Sequence, residues 1–517
     1  MKHMSVKSVV GNHQSTGRSV AAALVAVGSL FVACKEDAGE PPAAGARGGE
    51  TGHAGRGAAG AGNRSGKGGA AGTAGTLGSA GASGEAGNGP TDGGAPGSGG
   101  GGGHGGTDST GGTAGMGRSG TGGEAAGEGG AGGEAGQVGS GFALVTALAT
   151  GTDFSCALLA TGTVKCWGDD SFGTLGDGPP AGGRNATATP VFELGNAREI
   201  AAAGNTVCAI RQSDDTARCW GLNAYKALDV DDSISMVPAP VALKGFGDNP
   251  AANVTVGTDS NRVTSHGCVI DDNQHVGCWG HNTSYELGTT AGASSDTVVV
   301  VPELGNYLSV VAGEAFSCGL TTDHGVKCWG SPASGVLGDD LATAAATAVP
   351  VDVVGLDSGV RQIAASMRTM CALTTSGGVK CWGSPSYGAV GAAVDLHPYN
   401  GVVPTPVDVV GLSSGVSAIS GGTMSYCALM ADDGSIYCWG YNQNGQLGNQ
   451  PDPIGINEYE PIPVQVLGVT GATTVSIGWS HACAALASGG VKCWGSGTAS
   501  GSDLSTNQIV PTYVRGF

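Results

Sequence analysis

Charged and aromatic side chains are scarce in this chain of 517 residues, at 13% and 5% of the total. Basic side chains are the scarcest charges, with 23 Lys and Arg against 42 Asp and Glu, so the formal net charge is −19. Nucleic-acid binding needs clustered Lys and Arg against the phosphates. The composition therefore argues against a nucleic-acid partner.

Motifs for common catalytic and metal centres are also missing. The sequence has no H-E-x-x-H, no C-x-x-C and no G-x-x-x-x-G-K-[ST] phosphate loop. The acidic clusters at 169–170, 229–232 and 432–433 do not follow the spacing of a Ca²⁺ loop. We therefore predict no catalytic residue, no metal site and no cofactor, and we expect a protein that is not an enzyme.

The N-terminus has the features of an export signal. Lys2, Lys7 and Arg18 come before any acidic residue, and an apolar run follows over residues 19–33. A run of about fifteen residues is short for a bilayer span and typical of a signal peptide. We predict a lipoprotein-type signal peptide over residues 1–33.

A single Cys follows the apolar run. The segment Phe31-Val32-Ala33-Cys34 resembles a bacterial lipobox with Phe in place of the usual Leu. Cys34 is also the one Cys of 15 that is left over from the pairs described below. We predict a membrane anchor through lipid on Cys34, and a location on the bacterial cell envelope, at the outer membrane or cell surface. An ordinary cleaved signal or an uncleaved anchor is the alternative.

Glycine dominates the next segment, residues 34–141. Of the 99 Gly residues in the chain, 43 lie between positions 38 and 140. Such a composition buries too little apolar surface to offset the entropy of ordering. We predict a disordered tether that reaches on the order of 50–60 Å from the anchor.

The remaining residues, 142–517, contain seven repeats. The tripeptide Cys-Trp-Gly occurs seven times, 50 to 59 residues apart, and a second Cys precedes each by 10 or 11 positions. Between the two Cys of a repeat, short apolar runs flank a turn, which is typical of a β-hairpin. Opposed positions of such a hairpin lie about 4.5 Å apart between Cα atoms, within disulfide range. The predicted disulfides are Cys156–Cys166, Cys208–Cys219, Cys268–Cys278, Cys318–Cys328, Cys371–Cys381, Cys427–Cys438 and Cys483–Cys493.

Each repeat holds two further elements, a Gly-rich turn such as 445–448 and a Pro-containing strand such as 350–355. Four short strands in about 54 residues form one blade of a propeller. The predicted fold class is all-β, a seven-bladed β-propeller over residues 142–517 after the signal peptide and disordered linker. One extra strand at 510–516 is expected to complete the first blade and close the ring.

The ordered elements Ser-Cys-Ala-Leu, Gly-x-Val-Lys-Cys-Trp-Gly and Asn-x-x-Gly-Gln-Leu-Gly resemble the repeat of the regulator of chromosome condensation family. The resemblance covers residues 142–517 and implies a seven-bladed propeller. The family's GTPase exchange and chromatin binding are not carried over, because this domain is acidic and predicted to be exported. His266 and His481 fall where that family often has a structural His.

The repeated Trp residues have two readings, a core position or an aromatic platform for sugars. Occurrence at the same place in every blade favours the core, and Trp479 is the one Trp outside that position. The loops at 245–253, 391–404 and 449–460, the last with Tyr459, differ most between repeats. We predict a non-enzymatic binding or scaffold protein that recognises a protein partner through its blade loops, with a glycan as the lesser choice. The alternatives are a secreted or surface enzyme inhibitor and a propeller hydrolase or lyase.

Overall fold

Seven four-stranded antiparallel sheets make up the part of the chain that the structure describes. This computed structural model describes residues 144–517 except 181, 225–227, 229–233, 246–249, 262, 302–305, 342–344, 393–400, 451–456, 498 and 502–505. The predicted signal peptide (1–33), Cys34 and the tether (34–141) lie outside the described residues, and they stay predictions.

The first four blades follow one another along the chain, each from four consecutive strands. Blade one contains β1 (Val145–Thr150), β2 (Phe154–Leu159), β3 (Val164–Asp169) and β4 (Arg184–Pro190). Blade two contains β5 (Ala197–Ala203), β6 (Thr206–Arg211), β7 (Ala217–Leu222) and β8 (Met236–Ala242). Blade three contains β9 (Ala251–Thr258), β10 (Thr264–Asp271), β11 (Val276–Gly280) and β12 (Ser295–Val300). Blade four contains β13 (Tyr307–Ala312), β14 (Phe316–Thr321), β15 (Val326–Gly330) and β16 (Thr347–Asp352).

The last three blades repeat the same order. Blade five contains β17 (Val360–Ala365), β18 (Thr369–Thr374), β19 (Val379–Gly383) and β20 (Val403–Asp408). Blade six contains β21 (Val416–Gly421), β22 (Ser425–Met430), β23 (Ile436–Tyr441) and β24 (Tyr459–Gln465). Blade seven contains β25 (Ala472–Ile477), β26 (His481–Leu486), β27 (Val491–Gly495) and β28 (Gln508–Tyr513). The prediction of an all-β, seven-bladed propeller is confirmed.

The paired Cys residues lie on the second and third strands of every blade, directly opposite each other. The structure joins the same seven pairs that the hairpins predict, with Cα atoms 4.0 to 4.1 Å apart. An 11-residue separation adds its extra residue to the turn, so the pair stays in register. The register of each hairpin is therefore set by local sequence.

The core lies between the blades. All seven repeat Trp side chains are fully buried, which confirms the core reading over the sugar platform. The indole of Trp382 in blade five donates a hydrogen bond of 2.8 Å to the Val336 carbonyl in blade four. Gly338, two residues later, has φ of 70°, and an added Cβ there meets the Trp382 ring at 2.8 Å. The Cys-Trp-Gly motif of one blade thus holds the Leu-Gly turn of the blade before it.

Ring closure differs from the prediction. The last Pro-containing strand, β28, pairs with β27 of its own blade and does not complete blade one. The Pro-containing strand always follows the Cys-Trp-Gly strand of the same repeat, so each blade is complete in sequence. Blades seven and one meet through side chains instead, with Ser155 and His481 2.6 Å apart, and through a parallel bridge between Thr187 and Arg515.

Candidate functional site

The blades present two different faces. Loops between first and second strands and between third and fourth strands lie at the same end of each blade, because successive strands run antiparallel. We call this end the loop face. The other end, the hairpin face, carries the turns between second and third strands and the connections to the next blade. The longest loops, those after the third strands, are all on the loop face.

A channel runs between the innermost strands and opens on the loop face. Its cavity has a volume of about 230 Å³ and is lined by small and aliphatic side chains from all seven blades. A belt of backbone hydrogen bonds links the loops of neighbouring blades around this mouth. The N–H of Thr152 donates to the Gly204 carbonyl, that of Glu314 to Met367, that of Met367 to Thr423, that of Thr423 to Gly478, and that of Trp479 to Gly151. These bonds are 2.8 to 3.3 Å long. The belt fixes the backbone and leaves its side chains free to differ.

Trp479 is the aromatic member of this belt. It is half-buried and lines the channel. In sequence it stands apart from the seven core Trp residues, and in the structure it occupies the loop position that Met367 holds in blade five and Thr423 in blade six. The exception noted in the sequence is therefore a side chain at the channel mouth.

Three Tyr side chains cluster on the loop face, on blades five and six. The ring of Tyr387 meets those of Tyr441 and Tyr459 edge-on, with centroids 5.1 and 6.4 Å away. Tyr387 has φ of 56°, a conformation that bulky residues rarely adopt. The backbone thus holds an aromatic ring on the loop face at a local cost in energy. Tyr459 belongs to a loop that the sequence selected, whereas Tyr387 and Tyr441 carried no signal that set them apart.

A second group of side chains joins blades four and five. The guanidinium of Arg368 donates to the carboxylate of Glu314, with Nη2 and Oε1 3.2 Å apart. Burial opposes the charge of Glu314, but the hydrogen bonds and charge of Arg368 outweigh it and lower the pKa of that carboxyl. The same partner raises the pKa of Arg368. Both groups are therefore charged at neutral pH.

Two cavities flank Arg368 on the loop face. One, of about 270 Å³, lies between blades five and six against Met367, Tyr387, Ala389 and Met424. The other, of about 410 Å³, reaches from Met367 to Glu314, Asp259 and His281. Because both share Met367 and Arg368, an apolar pocket and a charged one lie side by side.

The loop face is acidic. In the described parts of its loops Arg368 is the one Lys or Arg side chain, against nine acidic ones: Asp153, Asp170, Asp177, Asp259, Glu286, Glu314, Asp339, Asp340 and Glu458. At the adjoining strand ends Arg184 is balanced by Asp169, 3.5 Å away. Burial, and then the charge of Asp170, raise the pKa of Asp177. A ligand that approaches this face therefore meets net negative charge.

His266 and His481, which stand where the resembled family often has a structural His, are buried between blades. His266 Nε2 lies 2.8 Å from Ser317 Oγ, which itself donates to the Glu286 carbonyl, so the imidazole donates to Ser317. Burial lowers the pKa of His266 to about 4 and that of His481 to about 3. Both imidazoles are fully buried and neutral at physiological pH. Their position supports a structural role at the junctions of blades three–four and seven–one.

Ionisable side chains are absent from the described lining of the channel, which contains no His, Asp, Glu, Lys or Arg. No group of three His, Cys, Asp or Glu side chains in the described part is placed to hold a metal ion. One G-x-S-x-G match, residues 411–415, lies in the connection from β20 to β21 rather than on the strand-to-helix elbow of a hydrolase.

The remaining sequence predictions fall in several places. The acidic residues 229 and 231–232, the tip of the 245–253 loop (246–249), and residues 393–400 and 451–456 lie outside the described residues. Asp432 and Asp433 sit in the hairpin between β22 and β23, where Asp433 Oδ1 accepts the Ser435 N–H at 2.8 Å. Across the described residues no helix is long and apolar enough to cross a membrane.

Comparison with protein families identifies the repeat. A model described as the regulator of chromosome condensation (RCC1) repeat matches residues 433–485, and a second model of that description matches 145–174, 308–336, 360–389, 416–446 and 472–500. The Arabidopsis thaliana ultraviolet-B receptor UVR8 is 26% identical over 361 residues, which are 68% of this chain and 77% of the receptor. The mitochondrial RCC1 domain-containing protein RUG3 of the same plant is 29% identical over 321 residues, 57% of this chain and 69% of its own.

Solved structures share the fold. Human WBSCR16 superposes with a TM-score of 0.57 at 21% identity, over 68% of this chain and 93% of that one. Yeast RCC1 (Prp20), crystallised with Kap60, superposes with a TM-score of 0.58 at 21% identity, over 72% and 85%. The described part of this chain is thus a seven-bladed propeller, and five of its blades match the regulator of chromosome condensation repeat.

Proposed function

We propose that this protein is a non-enzymatic binding module that recognises a protein partner with its loop face. The observation that carries the proposal is the clustering on one face of Trp479, the three Tyr side chains and Arg368 beside an apolar pocket. Trp, Tyr and Arg are the residues that most often dominate the energy of protein interfaces. Aromatic residues, Met and Arg are also enriched in interface cores.

The similar proteins support recognition over catalysis. UVR8 is named as a receptor, and one structure of yeast Prp20 is described by its binding properties to Gsp1p and histones. None of these partners is carried over, because the likeness to Prp20 shows the fold alone. The solved structures share the propeller fold, and binding residues on a rigid frame lie disproportionately in its loops.

The proposed experiment is a capture assay with a matched control. The full chain, with its disulfides intact, is incubated with envelope and secreted fractions of the source organism, and the bound material is identified by mass spectrometry. Y387A and Y459A remove loop-face aromatics, and Y513A removes an exposed Tyr from an outer strand. We expect one enriched protein that is lost with Y387A/Y459A and kept with Y513A.

Two results would contradict the proposal: no enriched protein, or a partner whose binding ignores Y387A/Y459A. An enriched enzyme that loses activity in proportion to the added propeller would identify the partner as an inhibited enzyme. Simple attachment to a surface protein leaves the activity of the partner unchanged.

We also propose that the propeller is exported and tethered by lipid at Cys34 to the cell envelope. The support is the basic start, the apolar run at 19–33, and the single unpaired Cys that follows it. Cells fed a labelled fatty acid should incorporate label into the wild-type chain and not into C34S. Equal labelling of both chains would show that Cys34 carries no lipid.

A further inference from the structure

We infer that the partner presents to the loop face a basic segment with one large apolar side chain, and that this side chain enters the pocket between blades five and six. The inference rests on the proposed function, since it describes the occupant of the same face. It commits to a polypeptide with Lys or Arg on both sides of a Phe-like or Leu-like anchor.

The apolar half of the inference comes from the pocket of about 270 Å³. Met367 and Met424 form part of its lining, and Met side chains adapt to the shape of an inserted group. Tyr387 forms another part, and its ring meets the rings of Tyr441 and Tyr459 edge-on. A preformed pocket with an ordered aromatic wall lowers the entropy cost of binding an anchor.

The pocket edge carries polar groups that suit a polypeptide backbone. Ser384, Ser386 and Thr423 line it together with Arg368. Interface hot spots combine an apolar centre with hydrogen-bonding groups at the rim that limit access of water. This arrangement favours a peptide with one buried side chain over a purely hydrocarbon ligand.

The basic half of the inference comes from charge. The adjoining cavity of about 410 Å³ is lined by the carboxylates of Asp259 and Glu314. Glu314 is already paired with Arg368, but the described loops as a whole hold nine acidic side chains against that one Arg. Complementary charge speeds encounter and suppresses wrong partners, so an acidic face around an apolar pocket selects a basic segment.

The exposed apolar side chains extend the same surface. On the described loop face, Phe172 and Leu341 stand in the loops after the third strands of blades one and four, and they are 37% and 59% exposed. Asp177 and Asp340 lie close in sequence to Phe172 and Leu341, respectively, so exposed apolar and acidic side chains occur together in these two loops. A partner that covers these loops needs both apolar and basic groups.

The test uses a short fluorescent peptide in which Lys residues flank one central Phe, with binding followed by fluorescence anisotropy. We expect saturable binding to the full chain that weakens as salt screens the charges. Replacing the Phe by Ser should weaken binding roughly tenfold or more, the effect of losing one buried aromatic side chain. A peptide with Glu in place of Lys should not bind.

Matched charge variants separate a specific site from general attraction to an acidic protein. D340N/E458Q removes two exposed charges from the loop face, and D272N/D432N removes two exposed charges from the hairpin face. We expect the first variant to weaken binding of the Lys peptide by roughly three- to tenfold. The second variant, with the same net charge, should change binding by less than about twofold.

The outcomes also separate this inference from the proposed function. If the two double variants behave alike, or if the Lys and Glu peptides bind equally, the inference is overturned. If the captured natural partner depends on Tyr387 and Tyr459 but not on salt or D340N/E458Q, the loop face is the site and the partner is not basic. If neither the peptide nor any protein binds, and only neutral glycans do, both proposals fail.

Discussion

The blade junctions and the loop face use the same repeat in opposite ways. At the junctions one side chain recurs: every repeat Trp is fully buried, and five described indoles donate to the carbonyl of the equivalent residue in the preceding blade. At the channel mouth one backbone position holds different side chains, among them Glu314, Met367, Thr423 and Trp479.

The difference follows from the number of neighbours each position must satisfy. A junction Trp packs between two blades, and five of the seven also donate to a carbonyl of the preceding blade, so few other side chains fit. A channel-mouth residue is held through its backbone, so its side chain can differ from blade to blade: Met367 and Thr423 are buried, whereas Trp479 is partly exposed. Repetition therefore marks the frame of the propeller, and variation marks the surface that we propose recognises a partner.

The largest expected effect compares two Trp residues, one in each region. W382A removes a buried indole from a junction and should lower the free energy of unfolding by about 3–5 kcal/mol. W479A, at the half-buried channel mouth, should cost about 1 kcal/mol but abolish partner capture. Urea unfolding of both variants measures this difference. Equal losses of stability would place Trp479 in the frame.

Acid should weaken the junctions through His266 and His481. Both have a folded pKa below the unfolded value of about 6.5, so the unfolded chain binds more protons as the pH falls. Their contribution is complete above that value and is lost progressively towards pH 4 for His266 and pH 3 for His481. At pH 5.5 the loss is about 1.4 kcal/mol for each His relative to pH 8.

The measurement is the free energy of unfolding at pH 8 and 5.5 for wild type and for H266Q/H481Q. Between pH 8 and pH 5.5, the free energy of unfolding of the double variant should fall by about 3 kcal/mol less than that of wild type, because Gln keeps a donor and does not titrate. An unchanged pH dependence would mean that these imidazoles are not buried in the neutral form. Burial raises the pKa of Glu199 to about 6, so this carboxyl titrates within the range, but it is present in both proteins and its effect cancels in the comparison.

Removing one disulfide tests the local part of the frame. C371A/C381A opens a loop of 10 residues and should cost about 2–3 kcal/mol of stability. Because the other six blades keep their disulfides, the ring should still form and the loop face should still bind below the lower melting temperature. Calorimetry measures the loss of stability, and the capture assay measures binding by the loop face. A loss of binding in the folded variant would show that the frame and the face are coupled.

The smallest stability effect is expected on the loop face itself. Tyr459 is 39% exposed, and Y459A should change the free energy of unfolding by less than about 0.5 kcal/mol. The same substitution should weaken partner binding by at least roughly fivefold, because Tyr is a frequent interface hot spot. Unchanged binding with unchanged stability would remove Tyr459 from the interface.

The sequence by itself determined the hairpins, the disulfide pairs and the number of blades. These depend on contacts over 10 or 11 residues and on a strand period of two, so Cys156 and Cys166 had to face each other. The buried Trp was predictable for the same reason, since an apolar residue at one blade position has the same surroundings in every blade.

Only the tertiary structure decided the closure and the candidate site. Residues 155 and 481 are 326 positions apart, and no local pattern announces that Ser155 meets His481 or that β28 stays with blade seven. Tyr387, Tyr441 and Trp479 come from three consecutive blades, and the antiparallel order of strands within each blade places their loops on one face. The contact of Tyr387 with Tyr441 depends on the packing of neighbouring blades, which no pattern within a single repeat specifies.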